Sequence, residues 1–118
     1  MSKKNKQLFF KKNIKNNNYS KLNFKNFKLS QCSLEKVNFW ESDLKKSIFE
    51  KTKISKCIFT DTNLTNATFK NSVIENSNFT HSILKGANFK STKLLNINLR
   101  DAIYDKKTIW PKNFIPTK

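Results

Sequence analysis

The chain has 118 residues, 24 Lys and Arg against 8 Asp and Glu, a formal net charge of +16 and only 36% hydrophobic residues. That length suits one small domain, and so low an apolar content excludes a broad globular interior while allowing a thin, repetitive core. Charges interrupt every apolar run well short of the ~20 residues that a membrane-spanning helix needs. The basic start from Met1 to Lys12 has no continuing hydrophobic stretch, so it does not read as a secretory leader, and a cytoplasmic location is expected by default.

Residues 1–18 are expected to form a basic N-terminal lead-in whose Leu8-Phe9-Phe10 cluster caps the first coil, with a disordered tail as the alternative. From Phe9 a large apolar residue then recurs at every fifth position, through Ile14, Tyr19, Phe24 and Leu29 to Leu99, Tyr104, Ile109 and Phe114. A period of five matches neither the 3.6 of a helix nor the 2 of a strand, so the chain must turn after each short unit. Two residues before each large one, from Cys32 to Ala102, stands a small residue (Cys, Ser, Thr or Ala), with Val37 and Ile97 as exceptions. Both positions are expected to face inward, the small one at a crowded corner. The other three positions are mainly Asn, Lys, Ser, Thr and acids, as a solvated exterior requires.

Residues 19–109 are predicted as the body of the fold, and an interval of twenty sorts their large residues by kind. Tyr19, Phe39, Phe59, Phe79 and Leu99 form one series, and Leu29, Phe49, Phe69, Phe89 and Ile109 another, both rich in Phe. The intervening series are mostly aliphatic: Phe24, Leu44, Leu64, Leu84, Tyr104, and Leu34, Ile54, Ile74, Leu94, Phe114. Four units per coil would stack each series as a column at a spacing of ~4.8 Å, with the Phe columns on opposite sides of a square. With one glycine, Gly86, the corners must be turned by Asn, Asp, Ser and Lys; Asn tolerates left-handed backbone. Leu22 and Phe27 are too large for ordinary corners.

The chain thus resembles the pentapeptide repeat proteins, whose unit is commonly written A-(D/N)-L-x-x. Ala87-Asn88-Phe89, Thr62-Asn63-Leu64, Ser42-Asp43-Leu44, Ser77-Asn78-Phe79 and Val37-Asn38-Phe39 carry the likeness, which covers nearly everything from about residue 19 onward. The stretch from Ala102 to Phe114 also resembles the A-x-Y-(D/N)-x-x-T-x-(W/F)-P-x-x-F segment that closes many members. The resemblance implies an all-β fold, a right-handed quadrilateral β-helix of about four to five coils of twenty residues. Residues 110–118 are expected to be a C-terminal cap and tail, with Trp110, Pro111 and Phe114 folded over the last coil.

The cysteines, Cys32 and Cys57, are twenty-five residues apart and so occupy different corners. They are expected to be buried small apolar residues in a reducing compartment, and neither disulfide nor metal spacing is present.

The charge excess suggests an anionic partner. Lys25, Lys45 and Lys85 stack on one exterior line and Lys70 and Lys90 on another, with Lys46, Lys51, Lys106 and Lys107 nearby, giving a candidate basic side across two adjacent edges. Arg100 is the only Arg, however, and a joint richness in Lys, Asn, Ile and Phe would also follow from an AT-rich genome. Glu41, Asp61, His81 and Asp101 form a separate ladder, in which His81 would relieve repulsion between the carboxylates; as a metal site its exposed geometry is loose. Outward apolar residues include Trp40, Ile83 and Ile103, candidates for partner contact or self-association.

Catalysis finds no outward Ser-His-acid or Cys-His set and no phosphate-cradling Gly loop, and no cofactor is implied. Two functional readings follow. One is a non-enzymatic structural or protein-interaction module; the alternative is a binder of anionic polymer or surface, nucleic acid or acidic membrane, through the Lys-rich side. Oligomeric state is left open. Certain fluoroquinolone-resistance members of the family resemble DNA in shape and negative charge, a mimicry for which a charge of +16 has the wrong sign.

Overall fold

The structure, a computed structural model, describes residues 8–117. Residues 1–7 of the expected lead-in and Lys118 of the expected tail lie outside the described part. The five-residue unit takes one backbone form throughout. Two residues after each large one the chain enters the left-handed region, with φ between 52° and 71° at every such position from Lys11 to Asp101. Only Gly86 among them is a glycine, and the others include eight Asn and Asp against a larger mixed set of Lys, Gln, Glu, His and Ser. The corner is therefore imposed by the fold on residues that visit this region at a cost.

What precedes the large residue decides the shape of each side. Where it is mostly Lys, Ser, Val or Ile, three-residue strands form: β1 (Leu8–Phe10), β2 (Asn13–Lys15), β3 (Lys28–Ser30), β4 (Ser33–Glu35), β5 (Ile48–Glu50), β6 (Lys53–Ser55), β7 (Val73–Glu75) and β8 (Lys93–Leu95). Where it is mostly Asn or Asp, single bridges replace strands. There the side-chain oxygen accepts from the backbone N–H two residues on, as Asn38 does from Trp40 (2.9 Å) and Asn78 from Thr80 (2.9 Å). This is a side-chain turn that competes with extended pairing.

The pairing is parallel and, up to the last bridge, its interval is twenty: β1-β3-β5 form one sheet and β2-β4-β6-β7-β8 another, with Phe9 beside Leu29 and Ile54 beside Ile74. Bridges run Asn18-Asn38-Ile58-Asn78-Asn98 and Asn23-Asp43-Asn63-Ile83-Ile103 on the remaining two sides. We number the sides in chain order as they follow β1: face 1 carries Leu29, Phe49, Phe69 and Phe89; face 2 Leu34, Ile54 and Ile74; face 3 Phe39, Phe59 and Phe79; face 4 Leu44, Leu64 and Leu84. The result is an all-β quadrilateral helix measuring 41 × 23 × 22 Å.

The core is the predicted set of columns. Within a Phe column the rings are nearly parallel, 4.7 Å apart for Phe59–Phe79 and 4.8 Å for Phe49–Phe69. Across the core the columns of faces 1 and 3 meet edge to face, as Phe59–Phe69 does at 6.2 Å and 89°. These are the two favourable ring geometries, and they confirm that the Phe columns oppose each other. Inward hydroxyls bond the backbone: Ser42, Thr62 and Ser82 donate to the carbonyls of Phe39, Phe59 and Phe79 at 2.6–2.7 Å. Ser47 Oγ is the buried exception, without a partner among the described residues.

At both ends the structure departs from the expected boundaries. Among the described residues regular pairing is already present at Leu8, ahead of residue 19, because β1 and β2 pair with β3 and β4. The oversized Phe27 is buried between Phe9 (5.0 Å) and Phe24 (4.9 Å) and fills the first coil, whereas Leu22 is exposed. At the other end the fivefold frame slips by one residue. Asn88 pairs with Ile109, an interval of twenty-one, so Ile109 points outward and Trp110 takes the inward place, stacked on Phe89 at 5.1 Å and 1°. Ile109 is therefore not a member of the Phe column, and the body extends through Trp110. Phe114 leans on Trp110 (5.3 Å), and its N–H donates to the Pro111 carbonyl (3.1 Å), closing the end.

Candidate binding surfaces

The faces differ in charge. Face 4 and the adjoining face 1 carry the predicted basic side: Lys25, Lys46, Lys51, Lys70, Lys85, Lys90, Lys106 and Lys107 are exposed and Lys45 is half-buried. Among the described residues none of these nine lysines makes an ion pair. The pairs that occur lie elsewhere, Lys15–Glu35 and Lys53–Glu75 on face 2 (4.0 Å each), and His81–Asp101 and Arg100–Asp101 on face 3 (3.8 Å each). Asp43, Glu50 and Asp105 are the acids on the basic faces; Asp43 and Asp105 are engaged in turns, accepting from Lys45 N–H (3.1 Å) and Lys107 N–H (3.0 Å).

Face 3 has the opposite character. Glu41, Asp61, His81 and Asp101 occupy its left-handed corner positions and all are exposed, as the ladder required. Only the upper rung closes, at His81 Nε2–Asp101 Oδ2, and among the described residues no three His, Cys, Asp or Glu side chains converge on a metal position. Beside this ladder stands Trp40, 36% exposed. Its indole N–H donates to Asp61 Oδ2 (3.3 Å), and Lys21 Nζ lies 5.0 Å from its ring centroid. The ring is thus held from two sides, one coil above and one below. Ile58 lies on the same face and is also exposed.

Of the other predicted apolar contacts, Ile103 is exposed, whereas Ile83, which lies between Asn63 and Ile103 in the bridge ladder, is half-buried. Ile109, expected in the core, joins Ile103 on the surface. The sequence frame concealed this pair, although Ile109-Trp110 offered a signal: two large apolar residues compete there for one inward place.

The inward thiols and hydroxyls are structural. Cys32 and Cys57 are free and buried, and burial pushes the Cys57 thiol up to about 11 against the lowering effect of backbone hydrogen bonds. One groove of about 520 Å³ near the C-terminal end is lined by Asn76, Asn78, Asn96, Asn98 and Arg100. Its amides are occupied by the fold: Asn96 donates to Asn76 (2.7 Å), and Asn78 and Asn98 cap their own turns. Among the described residues no helix is long and apolar enough to cross a membrane.

Such an arrangement, a filled column of stacked coils with its chemistry on outer faces, defines a solenoid repeat protein. Residues 22–99 match the pentapeptide repeat region, and the chain belongs to that family. HetL from Nostoc sp. strain PCC 7120, a pentapeptide repeat protein involved in heterocyst differentiation regulation, is similar at a TM-score of 0.69 and 18% identity, over 92% of this chain and 49% of HetL. The chain therefore spans about half the length of HetL. Rfr23 from Cyanothece 51142 is matched at a TM-score of 0.47 and 21% identity, over 87% of this chain and 90% of Rfr23. At these identities the likeness is one of fold. No curated protein matches the chain.

Proposed function

We propose that the protein is a non-enzymatic interaction module that binds another protein through its rigid outer faces. The observation that carries this reading is Trp40: an exposed indole, pinned by Asp61 and covered by Lys21, has already lost the freedom that binding would otherwise cost. Trp is also the side chain most enriched among dominant interface contacts. Capture from native lysate, treated with nuclease, is the test. A protein retained by the wild type and lost with Trp40→Ala supports the reading; retention unchanged by Trp40→Ala, or lost entirely with nuclease, overturns it.

A second reading is favoured by a separate observation, the nine lysines on two adjoining faces without an ion-paired acid among the described residues. Unpaired charges held on one side of a rigid body attract a polyanion, and such binding weakens steeply with salt. Titration against heparin at two salt concentrations tests it, salt-independent or absent binding being the result that removes it.

A further inference from the structure

The last corner of the solenoid projects from the lysine side and is built differently from those below it. Between Tyr104 and Thr108 it holds one residue more than the stretch beneath it, Leu84 to Ala87. Both inward ends keep their places: Tyr104 meets the Trp110 ring at 5.3 Å, and Thr108 Oγ1 donates to the Leu84 carbonyl at 2.7 Å. Asp105 locks the turn between them. Its carboxylate accepts from Gly86 N–H (3.3 Å) and Lys107 N–H (3.0 Å), and its own N–H donates to Thr108 Oγ1 (3.2 Å). Outside this lock stand exposed Lys106 and Lys107, flanked by Ile103 and Ile109 at 48% and 46% exposure.

We propose that this side of the molecule lies on an anionic lipid bilayer, with Ile103 and Ile109 entering the interfacial layer and the lysine lines resting on headgroups. The inference depends on the anion-binding reading above and names its partner. Two observations favour a bilayer over a nucleic acid. The charge is carried by Lys, a compact point charge, and not by the planar fork of Arg that reads phosphates and bases. A pair of isoleucines beside a lysine pair has an apolar layer to enter at a membrane and none on a phosphate backbone. The ladder of Glu41, Asp61 and Asp101 stands at the corner between faces 3 and 4, away from the corner between faces 4 and 1 where the lysine lines meet.

Cosedimentation with vesicles of phosphatidylserine in phosphatidylcholine, against phosphatidylcholine alone, tests the proposal, with a DNA gel shift run beside it. Binding is expected only to the anionic vesicles. Four substitutions on the basic side, Lys45, Lys70, Lys85 and Lys90 to Gln, should lower partitioning by about six-hundredfold, since each lysine near such a surface adds about fivefold. The same number on face 2, Lys36, Lys53, Lys56 and Lys93 to Gln, should lower it by less than about tenfold although the net charge is identical. Ile103→Asn with Ile109→Asn should remove the part of the binding that survives added salt, while thermal unfolding verifies that each variant folds. Equal losses from the two lysine sets overturn the sided orientation, and an unchanged salt-resistant fraction overturns the insertion. DNA or heparin binding without vesicle binding overturns the lipid assignment and leaves the anion-binding reading standing. No binding to any of them removes both.

Discussion

Between Phe39 and Phe89 each turn of the chain repeats the one below it, whereas between Tyr104 and Phe114 the repeat is broken by one residue and then closed. In the middle coils the inward rings pack on one another, parallel along a column and crossed between columns. That leaves the exterior free to carry any polar residue. At the last corner the extra residue turns Ile109 outward, draws Trp110 inward, and produces a locked loop with an apolar and basic rim. Repetition builds the support, and its interruption supplies a shape the repeat cannot make.

The contrast can be broken most severely in the middle. Phe69 lies between Phe49 and Phe89 in its column, and Phe69→Ala should destabilise the protein by about 3–5 kcal/mol in denaturant unfolding. At the last corner the slip predicts an inversion of neighbours. Trp110→Ala should cost about 2–3 kcal/mol, since the ring is only half-buried, while Ile109→Asn should change stability by less than about 0.5 kcal/mol. An unslipped frame predicts the reverse order.

A smaller effect comes from the thiol at Cys57, which burial holds protonated up to about 11 in the fold against 9.0 in the open chain. The unfolded chain therefore loses this proton first. Stability is unaffected below pH 9 and falls as pH rises toward 11, by roughly 2 kcal/mol relative to Cys57→Ala at the same pH. Thiol-reactive dye should label neither cysteine of the native protein at pH 8. The finest test compares two inward serines. Ser42→Ala removes a hydrogen bond to Phe39 and should cost about 1 kcal/mol, whereas Ser47→Ala removes a hydroxyl with no partner among the described residues and should be neutral or stabilising.

The columns were legible because a core this thin leaves each inward position a single neighbour above and below, so size and kind must repeat at the interval of the coil. The left-handed corners were legible only in part, since Lys46, Glu41 and His81 stand there as readily as Asn66 does. Both ends escaped the periodicity. Phe27 reads as too large for a corner until it is seen to fill the first coil between Phe9 and Phe24, and Ile109 fits the count while Trp110 fits the space. The lysine lines followed from the interval of twenty alone. The pinning of Trp40 did not, because it depends on the directions of Lys21 and Asp61, which lie a coil away on either side and carry no mark in the local sequence.

The parallel pairing of residue n with residue n+20 makes the molecule a ruler. Excising residues 48–67 would join Ser47 to Thr68, which occupies the place Ile48 held, and every later side chain would keep its direction. Lys25 and Lys85 would simply stand one coil closer, by ~4.8 Å. Distances between groups on a face can thus be changed in fixed steps along one axis without altering where any of them points.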